Sequence, residues 1–123
     1  MPYDTYVFDI SKFLDFISYL HGSTDRCNDE NIDLFEEAKS WNYKLVIPTV
    51  IIFEIIDKIR LRKVEFDYEV LNDSIKCLKQ EYDSEFENCS DPFLQFVLTQ
   101  KYSFSTKFSD NIVYYTELFY KNR

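Results

Sequence analysis

Residues 45–63 read LVIPTVIIFEIIDKIRLRK, and this stretch decides the fold. Leu45, Val46 and Ile47 form a short run without a polar side chain, the pattern of a strand covered on both faces in a parallel sheet. Pro48 has no N–H to give a ladder and stops the strand. Thr49 is a helix cap, and the apolar residues that follow open a helix over 50–62. Lys58, Arg60, Arg62 and Lys63 crowd its end, where cations suit the helix dipole. Glu54 is out of place among Val50, Ile51, Ile52, Phe53, Ile55 and Ile56. An ionised carboxylate is costly to bury unless it is paired or bound to metal. Either Glu54 lies on a narrow wet stripe with Lys58 as its i+4 partner, or it faces something that requires its charge.

Outward from this segment, strands and helices alternate. Residues 3–8, YDTYVF, read as a short buried strand that runs straight into Asp9. Ser11 offers an N-cap, Phe13, Leu14, Ile17 and Leu20 recur at helical spacing, and Gly22, the single glycine, follows as a left-handed C-cap. A polar loop leads to a helix over 29–41. Beyond residue 63, Phe66, Val70, Leu71, Ile75 and Leu78 mark an amphipathic helix over about 65–82. Residues 83–91, DSEFENCSD, read as an acidic loop, and Asp91-Pro92 opens a helix through about Gln100. Residues 101–107 read as a polar connection with room for a third strand near 102–106. Ser109 or Asp110 caps a last helix over 110–121. The order β-α-α-β-α-α-α-α predicts an α/β fold, three-layered, with a small parallel sheet flanked by helices.

Length and composition narrow the classes. The chain has 123 residues, which makes 1–123 a single domain. It carries twelve Phe and ten Tyr against one Gly, enough apolar bulk for a core and too little glycine for phosphate loops. Net charge is −8, which argues against a general nucleic-acid coat but leaves room for acids gathered at a centre with a local basic rim. Cys27, Cys77 and Cys89 are odd in number and lack C-x-x-C spacing, so reduced thiols in an intracellular protein, nuclear or cytoplasmic, are expected. The start of the chain has no signal-peptide pattern, and the longest apolar run, Val50 to Ile56, is far too short to span a bilayer.

Three acids share an unusual context. Asp9 ends an apolar strand, Glu54 interrupts an apolar helix, and Asp110 precedes an apolar run. In parallel sheets, ligands gather at the carboxyl ends of the strands. If the strands are neighbours, the three acids converge there. Clustered carboxylates do not all ionise unless a cation neutralises them, and oxygen-only ligands select Mg²⁺ or Mn²⁺ over zinc. Such a cation activates water and steadies charge on a phosphodiester. Each acid also has a plain role: Asp9 or Asp110 as a helix cap, Glu54 as a partner of Lys58. Asp57 pairs more naturally with Arg60 or Arg62 than with metal. The lone histidine, His21, at a helix end beside Gly22, supports no nucleophilic triad.

YVFDISKFL, KLVIPTVIIFEIIDKIR and FSDNIVYYTELFY together resemble the PIN domain over nearly the whole chain. In that family an Asp ends the first strand with a small polar residue two positions on, a Glu follows a VIP-x-VI junction, and a later helix opens on Asp. Asp9 with Ser11, Glu54, and Asp110 with Ser109 match those positions. EIIDKIR is similar to the corresponding region of PIN endonucleases of ribosomal-RNA maturation, and the first segment to PIN proteins of eukaryotic RNA surveillance. The resemblance implies a Rossmann-like three-layer fold and a Mg²⁺- or Mn²⁺-dependent endoribonuclease that cleaves single-stranded RNA. Asp9, Glu54 and Asp110 would hold metal, Ser11 and Ser109 would support them, and Lys58, Arg60, Arg62 and Lys63 would contact the RNA backbone. The family pattern continues past the last helix into a strand and a fourth acid, which this chain does not carry before Arg123. The expectations left open are a truncated domain, a protein partner or second copy that completes the sheet, and a weak or inactive PIN-like module that binds a protein partner in RNA metabolism. Asp83, Glu85 and Asp91 are the nearest substitutes for the missing acid.

Overall fold

The computed structural model describes residues 4–100 and 107–121. Its centre is a three-stranded parallel sheet in the order β1-β2-β3, with β1 at Thr5–Val7, β2 at Lys44–Pro48 and β3 at Ser84–Glu87. Around it lie α1 (Ile10–Leu20), α2 (Asp29–Ala38), α3 (Thr49–Arg60), α4 (Tyr68–Glu81), α5 (Asp91–Leu98) and α6 (Phe108–Lys121), with a 3₁₀ turn at Thr24–Arg26. Helix α1 packs on α2 and α4, whereas α6 packs on α3, α5 and strands β1 and β2. The α/β class with a small parallel sheet flanked by helices is the one expected.

Strand β2 is the middle of the sheet because the run after Lys44 has no polar side chain. Leu45, Val46 and Ile47 are all fully buried. Its register sets Val7 opposite Val46 and Pro48 opposite Glu87, so the carboxyl ends of all three strands share one edge. The ladder runs one step beyond β1, where Phe8 N donates to Val46 O at 2.9 Å. Phe8 itself is fully buried among Phe13, Phe16 and Phe35, edge-on or tilted at 5.9–6.0 Å between ring centroids. Asp9 is therefore held in place by the buried residue before it.

The third strand corrects the sequence reading. Residues 84–87 are not part of an acidic loop but pair in parallel with β2. Glu85 and Glu87 hide the strand signal, and each is partnered: Lys44 Nζ meets Glu85 at 2.9 Å, Ser90 N donates to Glu87 at 2.9 Å, and the one Tyr120 hydroxyl proton is shared between Glu85 and, at 2.9 Å, Glu87. A strand near 102–106 lies outside the described residues.

Helix ends are also shifted in informative ways. Asp9, not Ser11, caps α1, accepting from Lys12 N at 2.7 Å. Ser90, not Asp91, caps α5. Thr49 is the first residue of α3, and its hydroxyl donates instead to Glu87 O at 3.1 Å, which ties α3 to β3. Helix α2 ends at Ala38, short of Trp41, and α6 begins at Phe108, two residues earlier than read. Helices α1 and α3 finish alike. Ser23 N reaches Ser18 O at 2.9 Å and Lys63 N reaches Lys58 O at 2.8 Å, the six-to-one bond of a Schellman motif. The left-handed residue is Gly22 at φ 78° in the first and Arg62 at φ 57° in the second. Among the described residues no helix is long and apolar enough to cross a membrane.

Tyr82 is 2% exposed, packs edge-on against Phe16 at 5.4 Å, and its hydroxyl is buried without a hydrogen-bond partner among the described residues. An orphaned buried hydroxyl costs on the order of 1–3 kcal/mol. Tyr82→Phe should therefore raise the thermal midpoint, with a gain of about 1 kcal/mol. A lower midpoint in calorimetry would show that the hydroxyl is satisfied after all.

Candidate functional site

The carboxyl edge of the sheet is where β1 hands over to α1 and where α6 begins. An open cleft of about 410 Å³ lies there, lined by Asp9, Ser11, Asp15, Lys58, Lys107 and Asp110 together with Ile10 and Leu14. Asp9 and Asp110, from opposite ends of the chain, face this space together. A smaller adjoining cavity of about 180 Å³ is bounded by Asp9 and Asp110 again and by Glu117, with Val113 and Tyr114.

Each wall has a local cause. Asp9 caps α1 through Oδ1, and no described residue hydrogen-bonds its other oxygen. Asp110 sits in the first turn of α6, where negative charge is favoured. Glu117 follows Asp110 by seven residues, two helical turns along the same face. That spacing was present in the sequence as an acid repeat on the last helix, but Glu117 is not in the sequence-based site. Burial, and then the charge of Asp9, push the Glu117 carboxyl up from its ordinary range, while Lys12 opposes them.

The remaining expected residues separate. Glu54 lines neither cavity. It is half-buried, one turn before Lys58 on α3, and makes no hydrogen bond or ion pair among the described residues, so the i+4 pair with Lys58 does not form. Lys58 reaches the cleft wall. Arg60 does not line the cleft: its guanidinium holds Asp57 at 2.6 Å, the structural pairing expected for that acid. Arg62 spends its backbone on the α3 cap. Lys63 lies further along, in a different cavity. Ser11 lines the cleft, whereas Ser109 is 1% exposed with its hydroxyl unpaired among the described residues. Lys107, just before α6 at the end of the polar connection 101–107, is a cleft residue outside the expected set. Of the proposed substitute acids, Glu85 is held by Lys44 and Tyr120, and Asp91 opens α5 behind its Ser90 cap.

The donor set is carboxylate oxygen throughout, the chemistry of a hard divalent cation. Yet among the described residues no three His, Cys, Asp or Glu side chains form a group that could hold a metal ion. Among the described residues the walls do not form a closed three-acid cage, and a cation there would have to keep most of its water and take one or two carboxylates.

Glu117 has a pH signature. Its folded pKa is raised, so the native state binds more protons than the unfolded chain between the ordinary Glu value and the folded one. Stability falls as pH rises through that window. Glu117→Gln should accordingly raise the thermal midpoint relative to wild type at pH 7 and not at pH 3. An equal change at both pH values would remove the assigned cause. No protein-family model, curated protein or solved structure matches this chain, so the reading of the cleft rests on the residues that line it.

Proposed function

We propose that the chain is a Mg²⁺- or Mn²⁺-dependent endoribonuclease acting on single-stranded RNA, with a PIN-like arrangement. The observation that supports this reading is that Asp9 and Asp110 line one cleft at the carboxyl edge of a parallel sheet together with Lys58 and Lys107. Acids that attract a hard cation, interleaved with ammonium groups that attract phosphate, suit an anionic substrate that brings its charge to a metal. The free state of Cys27, Cys77 and Cys89 supports an intracellular setting.

A hydrated divalent cation held by Asp9 and Asp110 would supply the positive charge that steadies the phosphodiester as water attacks it. The other roles belong to this chain's own residues. Lys58, which has no ion-pair partner among the described residues, and Lys107 bind non-bridging phosphate oxygens and orient the strand. Glu117, with its raised pKa, takes the proton of the attacking water on a carboxylate oxygen as the P–O bond to the leaving ribose oxygen breaks, and solvent protonates that oxygen; a base poised nearer neutrality is better suited to the first task. Glu54 contributes charge from the next turn of α3 rather than from the cleft wall.

A second reading has one observation in its favour. The lack of a three-acid group among the described residues fits a module that binds without cleaving. On that reading the occupant is a protein partner in RNA metabolism, and exposed Phe53, Leu94 and Leu98 offer apolar contact.

Cleavage of a labelled single-stranded RNA with added Mn²⁺ separates the two. Asn caps helices as well as Asp does, so Asp9→Asn removes the charge and leaves α1 intact. Asp9→Asn and Asp110→Asn should each reduce cleavage by at least about 100-fold, since even outer partners of metal ligands account for about 10–100-fold. Wild-type protein that leaves the RNA uncut in Mn²⁺ would favour the binding module. Cutting that survives Asp9→Asn would dismiss this site.

A further inference from the structure

The cleft does not end at Leu14. That side chain also lines a second cavity of about 660 Å³, which lies between the C-terminal half of α1 and residues 63–70, the connection from α3 into the first turn of α4. Ile17 and Phe66 give this second space an apolar wall, and Ser18, His21 and Lys63 give it polar groups. From Leu14 to His21 the rise of α1 is about 10 Å, so one short strand can occupy both spaces. None of these groups is used by the proposed hydrolysis.

The two ends differ in electrostatic character. The N-termini of α1 and α6 stand at the cleft, and a helix N-terminus favours negative charge, as phosphate carries. At the second cavity the C-terminal end of α1 meets the first turn of α4, where Val70 lies, so helix ends of opposite sign offset one another and no net field draws a phosphate in. Lys63 and Glu65 both line that cavity, and their charges offset one another. It is therefore poorly suited to a phosphate and well suited to a neutral, flat, partly polar group. An aromatic ring for stacking beside hydroxyl and imidazole groups for edge hydrogen bonds is the means by which single-stranded nucleic acid is held base by base.

We infer that the cavity formed by Leu14, Ile17, Ser18, His21, Lys63 and Phe66 is a nucleobase subsite for the same single-stranded RNA whose phosphate enters the Asp9–Asp110 cleft. The inference rests on the RNA reading of that cleft and adds to it a base-binding position along α1. Lys58 serves the backbone, and Phe66 serves a base.

Binding of a short fluorescein-labelled single-stranded RNA to the full chain in Ca²⁺, a hard cation that carboxylates hold without the octahedral geometry Mg²⁺ demands, tests it by anisotropy, with the strand checked on a gel to be uncut. Phe66→Leu should weaken binding about tenfold, the lower range of base–aromatic stacking, with the slope of affinity against salt unchanged. Lys58→Gln should instead lower that slope by about one. An abasic version of the strand should bind wild type as weakly as the normal strand binds Phe66→Leu, a comparison that needs no variant to fold. Uridine monophosphate should shift the NMR signals of Ser18 and His21. Equal affinity for normal and abasic strands overturns the subsite, as does RNA affinity unchanged in a folded Phe66→Leu; the latter is the outcome expected if the cavity holds a peptide. If the Lys58 slope is unaltered while base removal and uridine monophosphate behave as stated, the subsite stands and the cleft reading fails.

Discussion

The structure depends on one strand being covered on both faces. Leu45, Val46 and Ile47 are fully buried, and each fully buried side chain of this size contributes roughly 1.5–3 kcal/mol relative to exposure. Such a strand cannot sit at an edge, where a row of its amides would lack partners. It must recruit neighbours on both sides, and it does: Lys44 N donates to Asp4 O at 2.9 Å, and Leu45 N to Asp83 O at 2.8 Å. With β2 fixed in the centre, β1 and β3 follow in register, and Asp9 arrives at the edge of the sheet level with Pro48. The position of the acid is thus a consequence of hydrophobic burial two strands deep. The chemistry of its own side chain decides only the cap.

Much of the fold was legible because its main signals were local and strong. The apolar run at 45–47, the proline after it and the glycine at position 22 each act through a single steric or burial rule, and all three read correctly. Strand β3 was not legible. Ser84–Glu87 alternates, but two of its four side chains are acids, and their partners, the Lys44 ammonium on Glu85 and the Tyr120 hydroxyl on both, are far off in sequence. Caps were misplaced by one or two residues because several adjacent polar side chains were chemically equivalent, and tertiary packing chose between them: Phe8, locked in the aromatic cluster, makes Asp9 the cap in place of Ser11.

The site was legible in part for a related reason. Asp9 and Asp110 could be found because each stands at a helix entrance beside apolar residues. Their meeting in one cleft needed only that β1 and α6 touch, which they do. Glu54 stands out as an acid in an apolar helix, but that context carries no direction. Helix rotation is set by Ile51 and Ile55, which are fully buried, and Glu54 is carried wherever they leave it. Glu117 went unnoticed because an acid on an otherwise ordinary amphipathic helix looks like a solvated face. Only the packing of α6 on β1 turns it toward Asp9.

The basic run at the end of α3 shows how one backbone feature can divide four similar charges among different tasks. Here a left-handed Arg62 closes the helix, at a cost that glycine would avoid. The chain then turns so that Lys63 lies beside Val64 and Phe66 in the second cavity, while Lys58, one turn back, stays on the cleft. Arg60 is withdrawn from both by Asp57. A stretch that looks from its composition like one cationic patch is, once folded, two separate ammonium groups at the two ends of a path along α1. Their spacing is fixed by the Schellman turn between them.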